Sequence, residues 1–144
     1  MTAAAFGSGA RRAVLLPLAL AALASPAVSA CTGPGADDAA RTAVSFEQLT
    51  AAAPAEACEL LSGHTREALE KSAKKACVDA LPEEDLPSAS SVQAVQVYGH
   101  DAQVRLDGDI VFLARFADGW KVTAAGCQPG DQPDQPFDCD VAGG

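Results

Sequence analysis

Five cysteines and two histidines are the side chains of this sequence best suited to chemistry. Their types and spacing favour oxidation over catalysis. The cysteines are Cys31, Cys58, Cys77, Cys127 and Cys139. A structural zinc site needs four converging thiolate or imidazole ligands, but no Cys-x-x-Cys occurs and only His64 and His100 could add nitrogen. Disulfides suit the cysteines better, and the odd count leaves one thiol over. Catalytic options are weak. His100 adjoins Asp101 in a turn-like stretch, and neighbours in sequence do not thereby form an orienting pair in space. His64 lies between Gly63 and Thr65 at a helix junction, where a capping or solvent role suffices. Ser62 lacks the Gly-x-Ser-x-Gly setting of a nucleophile elbow, and no phosphate-binding or dinucleotide fingerprint appears. Glu83, Glu84 and Asp85 read as a solvated loop. Asp131, Asp134, Asp138 and Asp140 would need to converge on one centre to hold a cation, and the prolines among them favour spacing instead. The sequence calls for no cofactor.

Upstream of Cys31, Arg11 and Arg12 form a positive flank, and residues 13–24 form an apolar run broken by Pro17. This is the pattern of an export signal. The run falls short of the roughly 20 apolar residues that a membrane-spanning helix requires. Val28-Ser29-Ala30-Cys31 then resembles a lipobox, the motif at which bacteria lipidate a cysteine. The resemblance implies cleavage before Cys31, a lipid on its sulfur and residence at the outer face of the cytoplasmic membrane. Val-Ser-Ala also resembles the small-residue cleavage site of an unanchored secreted protein, which is the alternative. Lipidation of Cys31 accounts for the odd thiol. The other four cysteines can pair in three ways. Pairing Cys58 with Cys77 and Cys127 with Cys139 keeps each bond within one local stretch and is the expected arrangement. Each bond would then stabilise the fold by about 3 kcal/mol in the chain-entropy model.

The 144 residues carry a formal charge of −9. Removing residues 1–30 takes away two arginines and no acids, so 8 basic face 19 acidic side chains and the charge becomes −11. Nucleic acid is therefore an unlikely partner, since phosphate backbones attract basic surfaces. Anionic headgroups would repel such a domain too, which leaves the lipid on Cys31 as its membrane-binding device.

A short tether, residues 31–36, joins the anchor to one α+β domain, residues 37–127, followed by a disulfide-tied tail, residues 128–144. Three helices are expected first. The first has Asp37 as N-cap and runs to about residue 53, with Ala39, Ala43, Phe46 and Leu49 as its buried stripe. The second spans 54–61, starting at Pro54, and places Cys58 and Leu61 on one face. The third spans 65–80, with Leu69, Ala73, Ala76 and Ala80 inward and Cys77 in its final turns. From residue 91 the period changes to two, giving a four-stranded antiparallel meander at 92–98, 101–106, 110–116 and 120–125. Loops of two, three and three residues bring Val95, Val97, Ala102, Val104, Leu106, Ile110, Phe112, Ala114, Phe116, Trp120, Val122 and Ala124 onto one face. In that register Trp120 is a core anchor opposite Phe116. Arg115 and Lys121 lie on the outer face, where Val111 and Leu113 are either covered by the tail, the expected arrangement, or mark a contact surface.

Helices followed by an antiparallel meander ending in Gly119-Trp120-Lys121-Val122 resemble the nuclear-transport-factor-2-like superfamily of cone-shaped α+β domains. Small bacterial lipoproteins similar to this chain share a cysteine and leucine pair in the second helix, as in Cys58, Leu60 and Leu61. They also share a Gly-Trp strand ending in cysteine, as in Cys127, and an aromatic-Asp-Cys, as in Phe137-Asp138-Cys139. The resemblance spans about 37–141. It implies a domain that can enclose a pocket, which in some relatives serves isomerases or dehydratases through an Asp, His or Tyr. No such catalytic signature matches here residue by residue. The expected function is a non-catalytic binding or structural module, anchored to the membrane through Cys31 and able to meet a protein or small ligand. The alternative is a pocket enzyme, which would need a buried acid or base with a shifted pKa.

Overall fold

The computed structural model describes residues 34–132 and 134–143; the signal, the lipobox and Cys31 lie outside the described residues. Within them the chain is α+β, with four α-helices and a five-stranded antiparallel sheet in the order β1-β2-β3-β4-β5. The elements are α1 Ala36–Ala52, α2 Pro54–Leu60, α3 Gly63–Ala73, α4 Cys77–Ala80, β1 Val92–Tyr98, β2 Asp101–Leu106, β3 Ile110–Phe116, β4 Gly119–Gln128 and β5 Asp138–Ala142.

α1 begins one residue earlier than the expected cap, behind Gly35. Asp37 and Asp38 therefore sit in its first turn, where carboxylates favour the positive end of the helix dipole, and no side chain caps it. Pro54 disfavours helical geometry at Ala53, which ends α1, and itself opens α2. Ser62 caps α3 by accepting the Thr65 N–H at 3.1 Å. The expected third helix is two helices. Lys74 turns left-handed at φ 56° and ends α3, and the Glu70 carboxylate accepts the Cys77 N–H at 3.0 Å, replacing an intrahelical bond. Ala76 is consequently exposed, while Leu69, Cys77 and Ala80 remain buried. Cys77 opens α4 and bonds to Cys58 of α2, with their Cα atoms 6.1 Å apart.

The sheet departs from the expected register at two hairpins. Arg105 lies opposite Ile110, and Arg115 opposite Trp120, so each loop is one residue shorter than anticipated. A one-residue shift turns a strand over. β3 is accordingly inverted: Val111 and Leu113 face the helices, Leu113 at 1% exposure, while Phe112 and Ala114 point outward and Phe116 is 48% exposed. The second shift cancels the first, so Trp120 and Val122 return to the inner face as expected. The cross-strand partner of Trp120 is Arg115, not Phe116.

The tail supplies the fifth strand. β5 pairs with β4 from Ala124↔Ala142 to Gln128↔Asp138 and sets Cys127 directly opposite Cys139, the second disulfide. Phe137 meets Phe112 edge to face at 5.1 Å, so this segment covers the outer face at Phe112 and not at Val111 and Leu113. Before β5 reaches it, the β4 edge is met by the link between α2 and α3: Leu61 bridges Val122, and Ser62 donates its N–H to the Val122 carbonyl at 2.8 Å. Leu113→Ala should lower unfolding stability by about 2–5 kcal/mol, and Phe116→Ala by under about 0.5 kcal/mol, in urea titrations. The opposite ranking would restore the register that places Phe116 inward.

Candidate functional site

The inverted β3 carries Arg115 to the helix side of the sheet, beside the start of α1. Its guanidinium lies 4.5 Å from the Trp120 ring and donates to the Pro34 carbonyl at 2.8 Å. Gly35 is required between them. Its φ is +84°, and a Cβ there would stand 2.1 Å from an Arg115 nitrogen and 3.3 Å from Trp120 Nε1. A cleft of about 670 Å³ opens over this stack, lined by Gly35, Asp38, Arg41, Thr42, Ser45, Leu60 and the segment from Arg115 to Lys121. Arg41 pairs with Asp38 on α1. Lys121 pairs with Asp118 at 3.1 Å and donates to the Glu59 carbonyl at 2.9 Å; Asp118 in turn has its pKa lowered, chiefly by Lys121. Arg115 alone of these cations has no carboxylate partner among the described residues. A guanidinium has five N–H donors and matches carboxylate and phosphate oxygens in pairs, so the cleft is fitted to hold an anionic group.

At the other end of the sheet lies a buried pair of acids. Asp109, between β2 and β3, is buried and accepts the backbone N–H groups of Ile110, Gly126 and Cys127, the last two at 2.9 and 2.8 Å. Glu47 comes down from α1 beside it, 1% exposed. Burial first, and the adjacent Asp109 second, push the Glu47 pKa up to about 9. Neither Glu47 oxygen finds a partner at hydrogen-bonding geometry, so Asp109 acts by proximity and charge. The inner surface is therefore not wholly apolar. A cleft of about 310 Å³ reaches Asp109 between Arg105, Gly108 and Gln128, but Glu47 lines neither this cleft nor the larger one.

The sequence-level candidates are scattered. Ser62 is a buried helix cap whose hydroxyl bonds Thr65 Oγ1 at 2.7 Å, with no histidine in that bond. His64 is exposed at the start of α3, and His100 is exposed in the β1–β2 turn with Asp101 exposed beside it. Glu83 pairs with Lys75 at 2.6 Å. Among the described residues no group of three or more His, Cys, Asp or Glu side chains could hold a metal ion. Cys58, Cys77, Cys127 and Cys139 are consumed in the two disulfides. Arg115 and Glu47 were missed. Arg115 was assigned to the wrong face with its strand; Glu47 extends the buried line Ala36, Ala39, Ala43 by one more turn, a position that polarity disguised. No family model, characterised protein or solved structure matches the chain.

The raised pKa of Glu47 has a defined pH signature. Below the ordinary value of 4.5, Glu47 is protonated in both folded and unfolded chains; above it the unfolded chain sheds the proton and the folded chain keeps it. The contribution of Glu47 to stability is thus fully present below about 4.5 and is lost as pH rises towards about 9. Thermal unfolding should show a midpoint falling from pH 5 to 9, and Glu47→Gln should flatten that fall and raise the midpoint at pH 8. An unaltered slope would show that Glu47 ionises without penalty.

Proposed function

We propose that this chain is an extracytoplasmic lipoprotein, held to the outer face of the cytoplasmic membrane through lipidated Cys31, whose domain works as a non-catalytic binding module. The observation that carries the reading is the disposition of the thiols. Four of five cysteines are paired in disulfides, and the remaining one stands three residues before Pro34, where the described fold begins. Disulfides suit an oxidising compartment, which agrees with export. No helix among the described residues is long and apolar enough to cross a membrane, so an anchored form would depend on its lipid.

Helices followed by an all-antiparallel sheet support the nuclear-transport-factor-2-like reading of the domain. The sealed position of Glu47 favours a binding role over the pocket-enzyme alternative, because an acid must reach substrate to transfer a proton. The cleft at Arg115 and Trp120 is the binding site of this proposal, and an anionic group is its ligand class. Cys31→Ser should move the protein out of the membrane fraction or leave the precursor uncleaved. Normal processing with unchanged membrane fractionation would reject the anchor in favour of another mode of attachment.

A further inference from the structure

We infer that the end of the domain formed by Pro34, Tyr98, Arg115 and Phe116 docks on the bilayer surface, with Arg115 on a phospholipid phosphate and the two aromatic rings in the interfacial layer. The inference rests on the lipoprotein reading and names the ligand of the Arg115 cleft.

The first support is reach. Consecutive Cα atoms are 3.8 Å apart, so the Cα of Cys31 can lie no more than about 11 Å from that of Pro34. Pro34 is the residue whose carbonyl Arg115 binds. A lipid on Cys31 would therefore hold this end, and no other, against the membrane. The second support is composition. The β1–β2 and β3–β4 turns both project here, as the bond from the Arg115 N–H to the His100 carbonyl at 2.7 Å shows. Each turn presents an exposed aromatic on the outer face of the sheet, Tyr98 at 61% and Phe116 at 48%. An amphipathic ring such as that of Tyr98 settles at headgroup level in membrane interfaces, and an apolar ring such as that of Phe116 at the boundary with the acyl chains.

The third support is charge. Asp37, Asp38, Asp101 and Asp118 face Arg41, Arg115 and Lys121 at this end, a formal −1, which leaves −10 of the processed chain's −11 for the rest of the molecule. Phosphates thus repel the bulk of the domain and tolerate this end. Among its cations Arg115 is the one without a carboxylate partner among the described residues, and stacking on Trp120 fixes the plane of its fork.

The test uses full-chain protein purified from membranes and reconstituted into phosphatidylcholine vesicles with acyl-brominated lipid. Phe116→Trp and Val92→Trp are compared, each retaining the buried Trp120 as an internal reference. Val92 lies at the opposite end of β1, about 20 Å from Tyr98. Phe116→Trp should lose about half of its added emission to bromine, as expected of an indole at the interface; Val92→Trp should lose none. Adding Arg115→Gln should return the first variant towards the level of the second. Flotation of the same vesicles reads anchoring separately. Protein that floats with both tryptophans unquenched, or equally quenched, overturns docking while the anchor stands. Protein that does not float overturns the anchor and the docking with it. Quenching indifferent to Arg115→Gln removes the phosphate from Arg115 and overturns that assignment.

Discussion

The Arg115 guanidinium, held between the face of Trp120 and the carbonyl of Pro34, is the contact through which the beginning of the fold is tied to its sheet. A stacked cation of this kind contributes about 0.5–2 kcal/mol, depending on how far it is desolvated. Its larger consequence is geometric. It holds the entry of α1 over the β3–β4 hairpin, which only Gly35 permits, and so fixes which end of the domain follows the tether. The contact exists because β3 presents Arg115 inward, one residue out of step with a three-residue turn.

The opposite end is built for closure. Asp109 gathers three backbone N–H groups from the start of β3 and from β4, at the place where β4 passes from Gly126 to the disulfide-bonded Cys127. Buried N–H groups need such an acceptor. Glu47 is a second acid in the core beside the first, kept protonated chiefly by its burial and secondarily by Asp109. The molecule therefore has one end with a cation and exposed aromatics and an opposite end with a buried pair of acids. The proposed binding site lies at the first, and the raised pKa of Glu47 at the second.

Much of this architecture was legible in residue order. β1, β2 and β3 begin and end where alternation and turn residues place them, and both disulfides join the cysteines that lie nearest in sequence. The face of β3 was not legible. Its sequence, Ile110-Val111-Phe112-Leu113-Ala114, is apolar on both sides, so alternation cannot choose between them and turn length decides. The Asp107-Gly108-Asp109 loop carried the warning, since its glycine sits in the middle and not last. β5 escaped for the opposite reason. Asp138-Cys139-Asp140-Val141-Ala142 has too little apolar content to signal a strand, and it gains its partner through Cys127 and through Val141, which is buried. Glu47 escaped because only apolar residues were counted in the buried stripe of the first helix.

The central claim is that this domain is built onto a lipidated cysteine, and mass spectrometry of the N-terminal peptide from membrane-purified protein tests it most directly. The expected result is a mature chain that begins at Cys31, with a diacylglyceryl group in thioether linkage on its sulfur. A mature chain carrying Cys31 unmodified, or one beginning at another residue, would contradict it.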